Sequence, residues 1–111
     1  MSELTATVEQ IQSIPVIRLS GYLSSESAGP LEDAFQQVAD AEKLLLVFAE
    51  KAFINSAGLA VLFDLILPAK DQGRQFRVVH PAKHFRKVFD IVGMSKDVEV
   101  FEGEEQAIAG W

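Results

Sequence analysis

The chain has 111 residues, 49% of them hydrophobic and 23% charged, which bounds it to one folded domain with a modest core. Its formal net charge of −6, with no basic stripe interleaved with aromatics, argues against nucleic-acid binding. The absence of cysteine excludes disulfides and thiol catalysis. No apolar run reaches the ~18 residues of a membrane span, and the opening residues lack the basic-then-apolar order of a signal peptide, so a cytoplasmic protein is expected.

Residues 4–10 alternate, with Leu4, Ala6 and Val8 on one side and Thr5, Thr7 and Glu9 on the other, as in a half-exposed strand. Gln12 and Ser13 form a turn into a second, antiparallel strand over residues 14–19, in which Pro15 sits near the start and Gly21 marks the end. Residues 24–29 carry several helix-start signals before Pro30. Leu31, Ala34, Phe35 and Val38 then make the apolar stripe of a first helix that should stop near Asp40.

Leu44 to Phe48 are five apolar residues in succession, the pattern of a strand buried on both faces and therefore central. A loop over residues 49–53 leads to Asn55 and Ser56. Beyond them Leu59, Leu62, Phe63 and Ile66 recur at intervals of three and four, a helical stripe. Asn55 and Ser56 thus stand at a helix start, where a side-chain oxygen caps an unpaired amide and the dipole favours an added anion. Plain capping and a seat for a phosphoserine are both open readings of Ser56.

This second helix is apolar nearly all the way round, with Asp64 its first charge, so part of its surface is expected to meet a partner or a second copy. Pro68 should kink it or break its last turn. A fourth strand is expected over residues 75–79. A third helix follows from Pro81 on Phe85, Val88, Phe89 and Val92, with Lys83, Arg86 and Lys87 on its basic face and Gly93 as its cap. An edge strand over residues 98–101 and a short last helix over 104–108 complete the chain, with Trp111 either packed back or frayed. The basic residues near position 85 and the acidic Glu102, Glu104 and Glu105 read as solvated faces.

The order ββαβαβαβα over residues 1–111 implies a single α/β domain. Its mixed, mostly parallel sheet has about five strands, packed with about four helices. No chemistry of an enzyme is legible. His80 and His84 lack partners in ligand spacing and read as surface residues, no metal or cofactor is called for, and neither Gly-x-Ser-x-Gly nor a phosphate loop with lysine is present.

The run from Ile54 through Asn55, Ser56, Ala57, Gly58 and Leu59 to Leu62 resembles the signature of the STAS family, the antagonists of bacterial anti-sigma factors. The resemblance extends to residues 16–23, to residues 89–94 and to the spacing of Gly21, Ser56 and Gly93. It implies that Ser56 is the phosphoacceptor of an anti-sigma factor that is also a serine kinase of the histidine-kinase-like ATPase type. It implies further that a serine phosphatase resets the cycle, and that Ser24, Asn55, Ser56, Ala57, Gly58 and Leu59 belong to the partner-binding surface. A homodimer is a further candidate assembly. Where the family usually carries Asp, this chain has Asn55 and Ser24, and Val47 matches a third acidic position. Two functions stay open on these residues: a phosphorylation-controlled antagonist in a partner-switching pathway, and an unphosphorylated scaffold subunit of a signalling or transport complex in which Ser56 only caps.

Overall fold

In the computed structural model, residues 4–49, 52–80, 87 and 98–111 are described. Strands β1 (Thr5–Ile11) and β2 (Ile14–Ser20) form an antiparallel hairpin in register from Thr5↔Ser20 to Ile11↔Ile14. Gln12 and Ser13 close it with φ of 52° and 71°, the paired left-handed conformations that match strand twist in a two-residue turn. Beyond β2 lie β3 (Tyr22–Leu23), helix α1 (Gly29–Gln37), β4 (Lys43–Phe48), β5 (Phe53–Ile54) and helix α2 (Ser56–Asp71). Then come β6 (Gln75–Val79), β7 (Glu99–Phe101) and helix α3 (Glu104–Ile108). The expected third helix on Phe85, Val88, Phe89 and Val92, its basic face and its Gly93 cap fall outside the described residues.

The main sheet has five strands in the order β1-β2-β4-β6-β7, parallel throughout except for the β1–β2 pair. The expected mixed, mostly parallel sheet is therefore found. Strand β4 is central, and its unbroken apolarity has a simple cause. Leu44, Leu46 and Phe48 enter the larger core under α1 and α2, while Leu45 and Val47 enter a smaller one under α3. A strand with two cores needs apolar residues at both parities.

Helix α1 buries Leu31, Ala34 and Phe35, the expected stripe. Helix α2 buries Gly58, Leu59, Leu62, Ile66 and Ala69 and leaves Ala57, Ala60, Asp64 and Leu67 exposed. Pro68 does not break the last turn, since α2 continues through it to Asp71. The amide that Pro68 lacks would have bonded the carbonyl of Asp64, and both residues are exposed, so water can take that carbonyl. The helix is closed at Gly73 (φ +89°). There the Gly73 N–H donates to the Lys70 carbonyl at 2.9 Å and the Arg74 N–H to that of Ala69 at 3.3 Å, the paired closure of a Schellman motif.

Two surface assignments are corrected. His80 is buried, only 3% exposed, because it continues β6 beside the end of β4 and packs its ring on Phe48 at 5.3 Å between centroids. Glu104 is not merely solvated. Its carboxylate receives both terminal nitrogens of Arg18, at 3.0 and 2.6 Å, which fastens α3 to β2. Arg18 also binds Glu9, and these hydrogen bonds, that to Glu104 first, hold its guanidinium above its ordinary pKa and the Glu104 carboxyl below its own. Trp111 packs back, donating Nε1–H to Gln75 at 3.0 Å while Arg77 lies 4.7 Å over its ring.

Candidate functional site

The site is built by two connections at the carboxyl end of the sheet. Leaving β2, the chain bends at Gly21 (φ +94°) into β3, and leaving β4 it enters β5; these two-residue strands pair in parallel, Tyr22↔Phe53 and Leu23↔Ile54. Three amides stitch the connections together. Ala49 donates to the Leu19 carbonyl at 2.8 Å, Phe53 to Gly21 at 2.9 Å and Asn55 to Leu23 at 3.2 Å. The beginning of α2 is thereby fixed against the loop that precedes α1.

Asn55 is the N-cap of α2. Its backbone is extended (φ −98°, ψ 177°), and its Oδ1 accepts the Gly58 N–H at 2.7 Å. The capping role considered for Ser56 thus falls to its neighbour, and Ser56 is the exposed first residue of the helix. Its position has a clear electrostatic character. No acidic residue occupies the first turn of α2, so the positive end of the dipole of this 16-residue helix meets no carboxylate there.

Gly58 explains how close the two connections come. A Cβ at this residue would stand 2.2 Å from the Leu23 carbonyl oxygen and 3.0 Å from the Ser24 amide nitrogen, so only glycine lets the helix settle on β3. Across this contact lies a turn of serines. Ser27 donates its hydroxyl to the Tyr22 carbonyl at 2.6 Å and accepts the Ser24 N–H at 3.0 Å. With the Ser27 proton so placed, the Ser24 hydroxyl is the donor in the 3.0 Å contact between the two side chains.

The residues expected to form the partner surface therefore divide. Ser56 and Ala57 face solvent, Ser24 and Asn55 flank them half-buried, and Gly58 and Leu59 are buried and act by holding the helix in place. One neighbour escapes a sequence reading. Phe53 is 67% exposed, a large apolar side chain two residues before the cap. The signal for it was the pairing of β5, since a two-residue strand turns Ile54 toward the core and Phe53 outward. Among the described residues no cluster of three His, Cys, Asp or Glu side chains is placed to hold a metal, and no helix is long and apolar enough to cross a membrane.

Comparison with known proteins agrees with this fold. The chain is similar in structure to an anti-sigma factor antagonist from Mycobacterium paratuberculosis, with a TM-score of 0.77 at 22% identity over 96% of this chain and 92% of that one. It is also similar to the Bacillus cell fate determinant SpoIIAA. For the phosphorylated form the TM-score is 0.69 at 19% identity, covering 94% of this chain and 96% of that one. For the unphosphorylated form it is 0.68 at 16% identity, covering 92% of each. The family model described as the STAS domain matches residues 5–107, and on that match the chain belongs to the STAS domain family.

Proposed function

We propose that this protein is an anti-sigma-factor antagonist of a bacterial cytoplasm. In this reading it docks the start of α2 on an anti-sigma factor that is also a serine kinase, and it is switched off by phosphorylation of Ser56. The observation that carries the reading is the placement of Ser56, exposed at the first position of α2 while Asn55 makes the cap. A hydroxyl so placed has no fixed structural duty and can be reached by an ATP-bound kinase. The protein supplies the acceptor and its partner supplies the catalysis.

The surroundings explain how phosphate would act. Ala57 adjoins Ser56, Ala60 lies one turn on, and Phe53 is exposed just before the cap, so the surface a partner would cover is largely apolar. A phosphoserine carries about −1.5 to −2 charges, and burying that against apolar surface costs several times what the contact yields. The free domain tolerates the same group, because the α2 amides and dipole favour an anion there. Release of the partner then needs no refolding. SpoIIAA, which shares the fold, has been solved in both phosphorylated and unphosphorylated forms. A serine phosphatase would restore the binding form.

The test is phosphopeptide mass spectrometry on protein incubated with ATP and its candidate kinase, beside a Ser56→Ala control. One phosphate confined to Ser56 and lost in the control is expected. Stable kinase binding without phosphate would mean an antagonist fixed in its binding form. Neither phosphate nor binding would overturn the proposal in favour of a scaffold role.

A further inference from the structure

The two edges of the main sheet are unlike. Strand β7 is three residues long, and a strand that short offers little to a passing chain. Strand β1 is seven residues long, runs unbroken in register with β2 and contains no proline, lysine or bulge. Its one charge, Glu9, is held by Arg18 of β2. Among the described residues, β1 has no strand on its outer side.

The hairpin fixes which backbone groups of β1 face outward. Residues flanking a two-residue hairpin loop exchange both of their hydrogen bonds, so Ile11, and with it Glu9, Thr7 and Thr5, turns toward β2. The far side of β2 supplies an independent check. The Leu19 carbonyl accepts from Ala49, hence Leu19 faces β4, and its partner Ala6 faces away from β2. The N–H and C=O groups of Ala6, Val8 and Gln10 therefore all point out of the sheet.

We infer that this edge pairs with the same edge of a second copy, antiparallel about Val8, to make a two-fold dimer with one continuous sheet. The strand is self-complementary in this register. Val8 meets Val8 of the second copy, Ala6 meets Gln10, Thr7 meets Glu9 and Thr5 meets Ile11, so no like charges stand directly opposite. The three outward residues make three hydrogen-bonded pairs, about six bonds in all. Ala6 and Val8 are half-buried against the larger core, so pairing at Val8 would extend that core across the two-fold axis. The inference does not depend on the reading of Ser56. Since β1 lies at the edge of the sheet and α2 is not part of that edge, a dimer so built presents two Ser56 sites.

Charge sets a second expectation. Each copy carries −6, so the copies repel at long range and added salt should favour pairing. Sedimentation velocity across a concentration series reads the equilibrium directly. We expect a dimer whose dissociation constant falls several-fold from roughly 50 to 300 mM salt. Val8→Pro removes an N–H that β2 does not use and is expected to weaken the dimer at least tenfold while the monomer stays folded by circular dichroism.

Val8→Cys is the independent arm, since the chain has no other cysteine. The paired Cα atoms would be about 5.5 Å apart, within the range of a disulfide. Mild oxidation should cross-link Val8→Cys far faster than Asp33→Cys, which sits on the exposed face of α1. A wild type that is monomeric at about 1 mM overturns the inference, as does a folded Val8→Pro protein that dimerises unchanged. Cross-linking no faster than in the Asp33→Cys control overturns it as well.

Discussion

Helices α1 and α2 both begin where a short strand leaves the carboxyl end of the sheet, and those strands, β3 and β5, are paired to each other. Two of their serines, Ser27 and Ser56, have opposite fates. Before α1, the Ser27 hydroxyl is bound to the Tyr22 carbonyl and accepts from Ser24, while the N-cap Ala28 makes no side-chain bond and Pro30 needs no amide partner. Before α2, Asn55 takes the whole capping duty and Ser56 stands exposed. A hydroxyl is available for chemistry where a neighbour has relieved it of structure. Serine content alone does not single out Ser56, since three serines precede α1.

The largest effect should come from the contact that joins the two starts. Gly58→Ala puts a methyl group 2.2 Å from the Leu23 backbone oxygen, which no side-chain rotation relieves. We expect a loss of about 3 kcal/mol in urea unfolding, with β3 displaced from β5. A loss under about 1 kcal/mol would mean that the helix start is free to shift and the two loops are not one unit.

This contact also marks how far the sequence could be read. The apolar pattern sufficed for β1, β2, β4, β6 and both long helices, whether as alternation, as an unbroken run or as a helical stripe, because each is long enough to carry one. Strands β3 and β5 have two residues each and so no period at all, although their pairing positions Asn55 and Gly58. The place of Asn55 and Ser56 at a helix start was legible from local residue types, whereas the exposure of Phe53 was not. His80 and Glu104 were misread for a shared reason. Their partners, Phe48 and Arg18, are 32 and 86 positions away, and no local pattern reports on contacts at that range.

The next effects separate the two starts. Asn55→Ala leaves the Gly58 amide without its acceptor and should cost about 1 kcal/mol, while Asn55→Asp keeps the cap and should hold or slightly raise stability. On the other side, Ser27→Ala removes the bond to the Tyr22 carbonyl and the acceptor of the Ser24 amide, again about 1 kcal/mol. On the function proposed above, the readout that distinguishes them is the rate of Ser56 phosphorylation by the partner kinase. It should change with the Asn55 variants, which hold the acceptor, and hardly with Ser27→Ala. Equal effects would erase the contrast.

A smaller effect belongs to α3, where the first-turn acid is the bound group. The Glu104 carboxyl is held below its ordinary pKa by Arg18, so the pair's contribution is complete above the unfolded carboxyl pKa of about 4.3 and is lost as pH falls through the lower folded value. Both side chains are more than a third exposed, at 36% and 38%, so solvent screening limits the contribution to about 0.5 kcal/mol. Glu104→Gln should flatten the acid limb of the stability curve by that amount and leave the neutral-pH behaviour of Ser56 untouched.

The smallest effect discriminates most sharply between a switch and a structural serine. Ser56→Ala should change stability by less than about 0.5 kcal/mol, because the cap is made by Asn55. Ser56→Asp places a negative charge at the first residue of α2, where no acid stands in the first turn, and should stabilise the fold by about 0.3 kcal/mol at low salt. If Ser56→Asp nevertheless abolishes kinase binding, the loss cannot be assigned to unfolding. It must then come from the charge itself, set against the apolar surface of Phe53, Ala57 and Ala60. Destabilisation by Ser56→Asp would point the other way, to an N-terminus whose amides are already fully satisfied, and the electrostatic account of the switch would fall with it.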